Sequence, residues 1–195
     1  MTTATAAAVN KSNLGKAFES MLERSHAVYA TQKIAAMQKN PAEWKYTGPT
    51  AYYKMANHPK DLVARTNTGR FLTRVKSTID FSGVAGGRFV TFDAKQVSRL
   101  NFPLSDLPLH QLSTLCFAEQ CGAISGLMIH FSTYKRTFFV PAGYVERVNN
   151  EMNLSGGKKS ISLADCEENG IEIPSSLMIE CDWFGVLIDG NKDKD

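Results

Sequence analysis

Hydrophobic and polar positions change rhythm several times along this chain of 195 residues. Leu14, Phe18, Met21, Leu22 and Ser25 recur at helical spacing behind Ser12 and Asn13, either of which can cap a helix running to about Thr31. "KIAAMQK" then reads as a short strand. Residues 40–67 carry Pro41, Pro49 and Pro59 and show no clear period, over a length that exceeds an ordinary connection. Two strands follow, over about 71–83 and 88–97, and the glycines of "VAGG" join them as a hairpin. "FPLSDLPLHQLSTLCFAEQCG" predicts a loop into a helix. Ser105 or Asp106 is its cap, Pro108 falls in its first turn, Leu109, Leu112, Leu115 and Cys116 form its apolar stripe, and Gly122 ends it. "AISGLMIHF" and "RTFFVPAGYV" predict a strand pair that extends the sheet, and "SGGKKSISLADCEENG" a turn, a capped short helix and a glycine stop. "SLMIECDWFGVLI" leans towards strand.

Composition narrows the class. At 43% hydrophobic content the chain can bury one good core, and a single domain is the expectation. Its boundaries read as a disordered lead-in over 1–12, a domain over 13–190 with an insertion at 40–67, and a charged tail over 191–195. No apolar run approaches a membrane span, and "MTTATAAAVNKS" lacks the apolar centre of a secretory signal, so a cytoplasmic location and no membrane partner are expected. Cys116, Cys121, Cys166 and Cys181 have neither zinc-site nor disulfide-framework spacing and read as reduced core or helix residues.

The chemistry concentrates in "GGRFVTFDAKQV". On a strand, Phe89, Thr91, Asp93 and Lys95 share one face and Val90, Phe92 and Ala94 the other, so both charges point the same way. Folding the hairpin brings Asp80 of "STIDFSG" near Asp93. Two carboxylates and an ammonium at one strand end are costly to desolvate, and a divalent cation is the usual compensation. Oxygen ligands of this kind favour Mg²⁺ or Mn²⁺. Such a site would activate water and neutralise charge on a phosphodiester, with Lys95 steadying the developing negative charge. An Asp-x-Lys pair on an exposed strand can also be a plain ion pair worth about 1 kcal/mol or less, and the residues alone leave both readings open.

The net charge of +3 hides an uneven distribution. Between residues 39 and 76, Lys39, Lys45, Lys54, Lys60, Arg65, Arg70, Arg74 and Lys76 face only Glu43 and Asp61, a local +6. From Asp165 onward the balance is −7. Trp44, Tyr46, Tyr52, Tyr53 and Phe71 interleave with the basic residues, which suits a polyanion with unstacked bases; a solvated loop with incidental aromatics is the plainer alternative.

Helix, strands, helix and strands, with carboxylates and a lysine at the ends of central strands, resemble the PD-(D/E)xK nuclease layout. From Gly15 to about Ile188 the chain resembles the RecU-type Holliday junction resolvases, through "STIDFSG", "GRFVTFDAK", "NFPLSDLPLHQ" and "GGKKSI" in order and at similar spacing. The resemblance implies an α/β fold with a restriction-endonuclease-like core, a mixed central sheet flanked by helices, and a protruding stalk at 40–67. It implies metal-site roles for Thr78, Asp80, Asp93 and Gln111, and a transition-state role for Lys95. Glu19 matches a family glutamate near the active site, although helix spacing also allows an exposed pair with Lys16. His110 is expected to pack or cap.

The implied activity is Mg²⁺-dependent cleavage of four-way junction DNA by a homodimer, in two strands of like polarity, in homologous recombination and repair; recombinase or branch-migration helicase partners are possible. A restriction-like or repair nuclease of the same fold would also cut linear duplex, and a non-catalytic protein would bind junctions only. Two departures stand out. Asp93 replaces the family's usual Glu, and Ile79 replaces a polar residue.

Overall fold

A computed structural model of the chain describes residues 11–40, 43–47, 63–65, 71–75, 79–188 and 190; for 11–14, 43–47, 63–65, 71–75 and 155 it describes the backbone alone. The chain divides into two compact units, Asn40–Thr78 and the remainder. In chain order the elements are α1 (Lys11–Thr31), β1 (Ala35–Lys39), β2 (Glu43–Thr47), β3 (Val63–Arg65), β4 (Phe71–Val75), β5 (Phe81–Ala85), β6 (Arg88–Val97) and β7 (Asn101–Pro103). Then come α2 (Leu109–Gln120), β8 (Ile124–Phe131), β9 (Arg136–Pro141), α3 (Ala142–Ser155), β10 (Ser160–Ser162), α4 (Leu163–Asn169), β11 (Ile171–Ile173) and α5 (Phe184–Ile188).

The larger unit is built on a six-stranded mixed sheet in the order β1-β5-β6-β8-β9-β11. Every neighbouring pair is antiparallel except β6 and β8, which run parallel. A parallel neighbour requires a crossover, and α2 lies within the connection that supplies it. Alternation along β6 sends Val90, Phe92 and Ala94 into a core with Phe18, Leu22 and Tyr29 of α1 and with Trp183 and Leu187 near the chain's end. The other face of the sheet meets α2 and α3, where Leu127, Ile129, Phe138 and Val140 pack with Leu112, Leu115 and Val145. Strands covered on both faces are apolar almost throughout, and β8 is buried at seven of its eight positions.

Glycine matters where backbones converge. Gly86 and Gly87 turn the β5–β6 hairpin with φ of 54° and 80°. At Gly126 a β-carbon would stand 2.2 Å from the Val140 carbonyl oxygen, so any side chain would force β8 and β9 apart.

Asn40–Thr78 forms a unit of its own, in which β2, β4 and β3 make a three-stranded antiparallel sheet. Residues 40–67 are therefore not without strands: "EWKYT" and "VAR" pair with Phe71–Val75. The expected strand over 71–83 is two strands, each with its own partners, since β4 belongs to this small sheet and β5 to the large one. Residues 1–10, 41–42, 48–62, 66–70, 76–78, 189 and 191–195 lie outside the described residues, which covers most of the predicted lead-in and all of the charged tail.

Other expectations are corrected. Leu109 is 66% exposed, so the stripe of α2 begins at Leu112. Neither Ser105 nor Asp106 caps α2; they form a short 3₁₀ turn, and Pro108 occupies the N-cap without a side-chain bond. "PAGYV" begins α3, because Pro141 sits at its N-cap with an extended backbone. The C-terminal apolar stretch contains no strand; Ile179, Cys181 and Trp183 are buried and lead into α5. Buried Ile179, Cys181 and Trp183 alternate with exposed Glu180 and part-buried Asp182, a period of two that imitates a strand although no strand pairing forms. The short helix predicted after "GGKKSI" is α4, opened by a capping box in which Ser162 and Asp165 bond reciprocally, with Gly170 at its C-cap. All four cysteines are free thiols. Among the described residues no helix is long and apolar enough to cross a membrane.

Candidate active site

The site starts from the β5–β6 register. Phe81 pairs with Phe92, so the residue before β5, Asp80, comes level with the end of β6 that carries Asp93 and Lys95. The Ala94 N–H donates to Asp80 Oδ2 at 2.9 Å and ties that carboxylate to the strand between the two charges. Thr91, one step earlier on the Asp93 face, donates its hydroxyl to the Phe81 carbonyl at 3.1 Å and reinforces the pairing.

Asp93 is wholly buried, with the Lys95 ammonium against one of its carboxylate oxygens: Lys95 Nζ lies 2.5 Å from Asp93 Oδ2. The same ammonium donates to Gln111 Oε1 at 3.3 Å. Gln111 is buried in the first turn of α2, where its backbone N–H bonds to the Pro108 carbonyl. Burial pushes the Asp93 carboxyl up to about 7, with the Lys95 ammonium opposing and the Asp80 charge adding to the rise. A buried carboxylate, a second carboxylate beside it and a neutral amide oxygen nearby form a donor set for a hard divalent cation. Among the described residues no three His, Cys, Asp or Glu side chains gather at metal-binding reach, so such a cation would complete its shell with neutral oxygens, as Mg²⁺ commonly does with water.

The geometry thus joins Asp80, Asp93, Lys95 and Gln111. Glu19 is engaged elsewhere: it binds Lys39 Nζ at 2.8 Å, and Glu23 holds the same ammonium at 2.5 Å, so Lys16 is not its partner and the charge of Lys39 is balanced locally. Thr78, Lys54, Lys60, Arg70 and Lys76 lie outside the described residues. Lys45, Arg65 and Arg74 fall on β2, β3 and β4, whose backbone alone is described. His110 is exposed, so it does not pack into the core, and the N-cap of α2 is Pro108 without a side-chain bond. The Ala94 N–H that anchors Asp80 escaped sequence reasoning, since a backbone group carries no signal in residue type.

A mixed sheet covered by helices on both faces, with two aspartates and a lysine converging at its middle strands, defines a nuclease-like core. The sequence model of the family described as Recombination protein U, RecU, matches residues 13–188. Among relatives, the chain is 29% identical over 180 residues to the Holliday junction resolvase RecU of Streptococcus uberis, covering 92% of this chain and 83% of that protein. It is 29% identical over 181 residues to the protein of that name from Streptococcus pyogenes serotype M1, covering 92% and 84%, and 25% identical over 180 residues to that of Streptococcus mutans serotype c, covering 92% and 85%. The chain belongs to the RecU family.

Proposed function

We propose that this protein is a structure-selective DNA endonuclease that resolves Holliday junctions in recombination and repair, by divalent-cation-dependent hydrolysis of phosphodiesters. The observation that carries the chemistry is Asp93, a wholly buried carboxylate level with a second carboxylate, Asp80, and in contact with the ammonium of Lys95. Asp80, Asp93 and Gln111, with Thr78 of the same sequence motif, would hold the cation, for which Mg²⁺ is the first choice and Mn²⁺ a substitute. When bound, it would supply charge neutralisation at the phosphate and activation of the attacking water.

The chain's own groups do the rest. Lys95 Nζ, held between Asp93 and Gln111, is placed to stabilise the negative charge that grows on the phosphoryl oxygens as water adds and the P–O bond breaks. Ala94 fixes one oxygen of Asp80 and thereby its direction. Glu19, through its bridge to Lys39, is assigned a positioning role on α1 and not contact with the reacting atoms.

Residues 40–67, within the separate unit Asn40–Thr78, would be the stalk that reads the open crossover, with Lys45, Lys54, Lys60 and Arg65 and the neighbouring Arg70, Arg74 and Lys76 as phosphate contacts. A junction has two-fold symmetry, and a homodimer would present equivalent sites to strands of like polarity. The deciding assay incubates the purified protein with a synthetic four-way junction and with linear duplex, with and without Mg²⁺. Cleavage of the junction in Mg²⁺ alone is expected; equal cutting of both DNAs would make it a restriction-like or repair nuclease, and metal-independent binding without cutting a junction-binding protein.

A further inference from the structure

We infer that the two turns at the carboxyl ends of β6 and β8 form a second DNA-contact surface beside the active site, with Arg99 and Lys135 as phosphate contacts and Tyr134 as a platform against the nucleotide. This rests on the junction-cleaving reading above and adds residues that neither the stalk nor the metal site includes.

The two parallel central strands finish together here, as Val97 pairs with Phe131. Beyond them the chains are tied turn to turn. The Ser132 N–H donates to the Val97 carbonyl at 2.8 Å, and the Thr133 hydroxyl donates to the Ser98 carbonyl at 2.7 Å. Arg99 therefore follows a residue bonded to Thr133, and Tyr134 and Lys135 follow Thr133 itself. Carboxyl ends of parallel strands are where open α/β sheets place their ligands. Lys95 lies four residues before Arg99, a backbone separation of about 14 Å at most, which is within a few nucleotides' length of the site.

The charges on this surface are available. Arg99 and Lys135 are exposed, and among the described residues neither enters a salt bridge, whereas Glu172 and Glu180, which line one cleft with Lys135, are paired with Arg136 and Arg24. Tyr134 and Leu100, next in sequence to Lys135 and Arg99, are 44% and 48% exposed and add apolar surface to the two turns. Lys135 also holds a φ of 53°, a conformation that glycine adopts at no steric cost.

The test measures junction binding in EDTA as a function of salt for wild type, R99A, Lys135→Gly and the double variant. Lys135→Gly suits the φ and so isolates loss of the ammonium from backbone strain, while thermal unfolding checks the fold. The slope of log affinity against log salt should become shallower by about 0.9 for each variant and about 1.8 for the double. Tyr134→Phe should bind as wild type and Tyr134→Ala roughly five-fold more weakly or worse. A wild type that binds the junction while the double variant keeps its slope overturns this surface alone. A wild type that neither binds nor cuts the junction overturns the functional reading and this one with it.

Discussion

Asp93→Asn keeps the side chain's shape and removes its charge, so it separates what the carboxylate does for chemistry from what it costs the fold. Burial lifts the Asp93 carboxyl from 3.8 to about 7, against the pull of Lys95 and with the push of Asp80. A rise of about 3 pH units, at 1.36 kcal/mol each, makes ionised Asp93 an upper cost of about 4 kcal/mol to the folded chain without a cation. The sign follows from where each state titrates. The unfolded chain loses this proton near 3.8 and the folded chain near 7, so the advantage of the neutral acid is complete below about pH 4, declines across the interval and is gone above 7. In EDTA at pH 8, Asp93→Asn should therefore be more stable than wild type, by about 1–4 kcal/mol once the lost partner of Lys95 is counted; at pH 5 the gap should fall to less than half. Urea unfolding at the two pH values measures both. Mg²⁺ at 100 times its dissociation constant should then stabilise wild type by about 2.7 kcal/mol and the variant hardly at all. If Asp93→Asn were less stable than wild type at pH 8, or if the gap did not change with pH, the protein itself would be compensating the carboxylate, and the reason for placing a cation there would disappear.

Lys95→Ala and Asp80→Asn should each abolish cleavage of a junction in Mg²⁺ while a gel-shift in EDTA shows binding retained; wild-type cutting by either variant would remove that residue from the chemistry. Wild type allowed to exchange subunits with Asp93→Asn should nick one strand of the junction without completing resolution, and a monomer in sedimentation with and without junction would contradict the paired-site scheme. Replacing residues 40–67 by a Gly/Ser linker should leave a folded protein that no longer prefers junction to duplex in competition, and a preference that survives would place recognition outside the stalk.

Sequence legibility followed periodicity and local chemistry. The alternation of "RFVTFDAK" foretold β6 and the shared face of Asp93 and Lys95, and "SGGKKSISLADCEENG" foretold a short capped helix, α4, because both signals lie within a few residues. The helix after Pro141 was hidden because "FFVP" reads as strand to its last residue and the following "AGYV" is apolar enough to continue it. The segment around Trp183 reads as strand for a different reason: Ile179, Cys181 and Trp183 are buried at alternate positions with Glu180 and Asp182 between them, a strand-like period on a chain that pairs with no strand. At the site, spacing could bring Asp80 near Asp93, but the link from Gln111 to Lys95 depends on how α2 packs after a long crossover, and no local pattern encodes that distance.

The alternation of β6 makes its charges guardians of strand register. A slip of one residue against β5 or β8 would turn Asp93 and Lys95 into the layer now filled by Val90, Phe92 and Ala94, opposite Phe18, Leu22 and Trp183. Two ions without water in that aromatic layer would cost several kcal/mol each, comparable to the whole stability of a domain this size. The misaligned hairpin is thus excluded by the same pair that the aligned one presents to a phosphodiester, and replacing both charges with apolar residues would remove a proofreader of the fold as well as a catalyst.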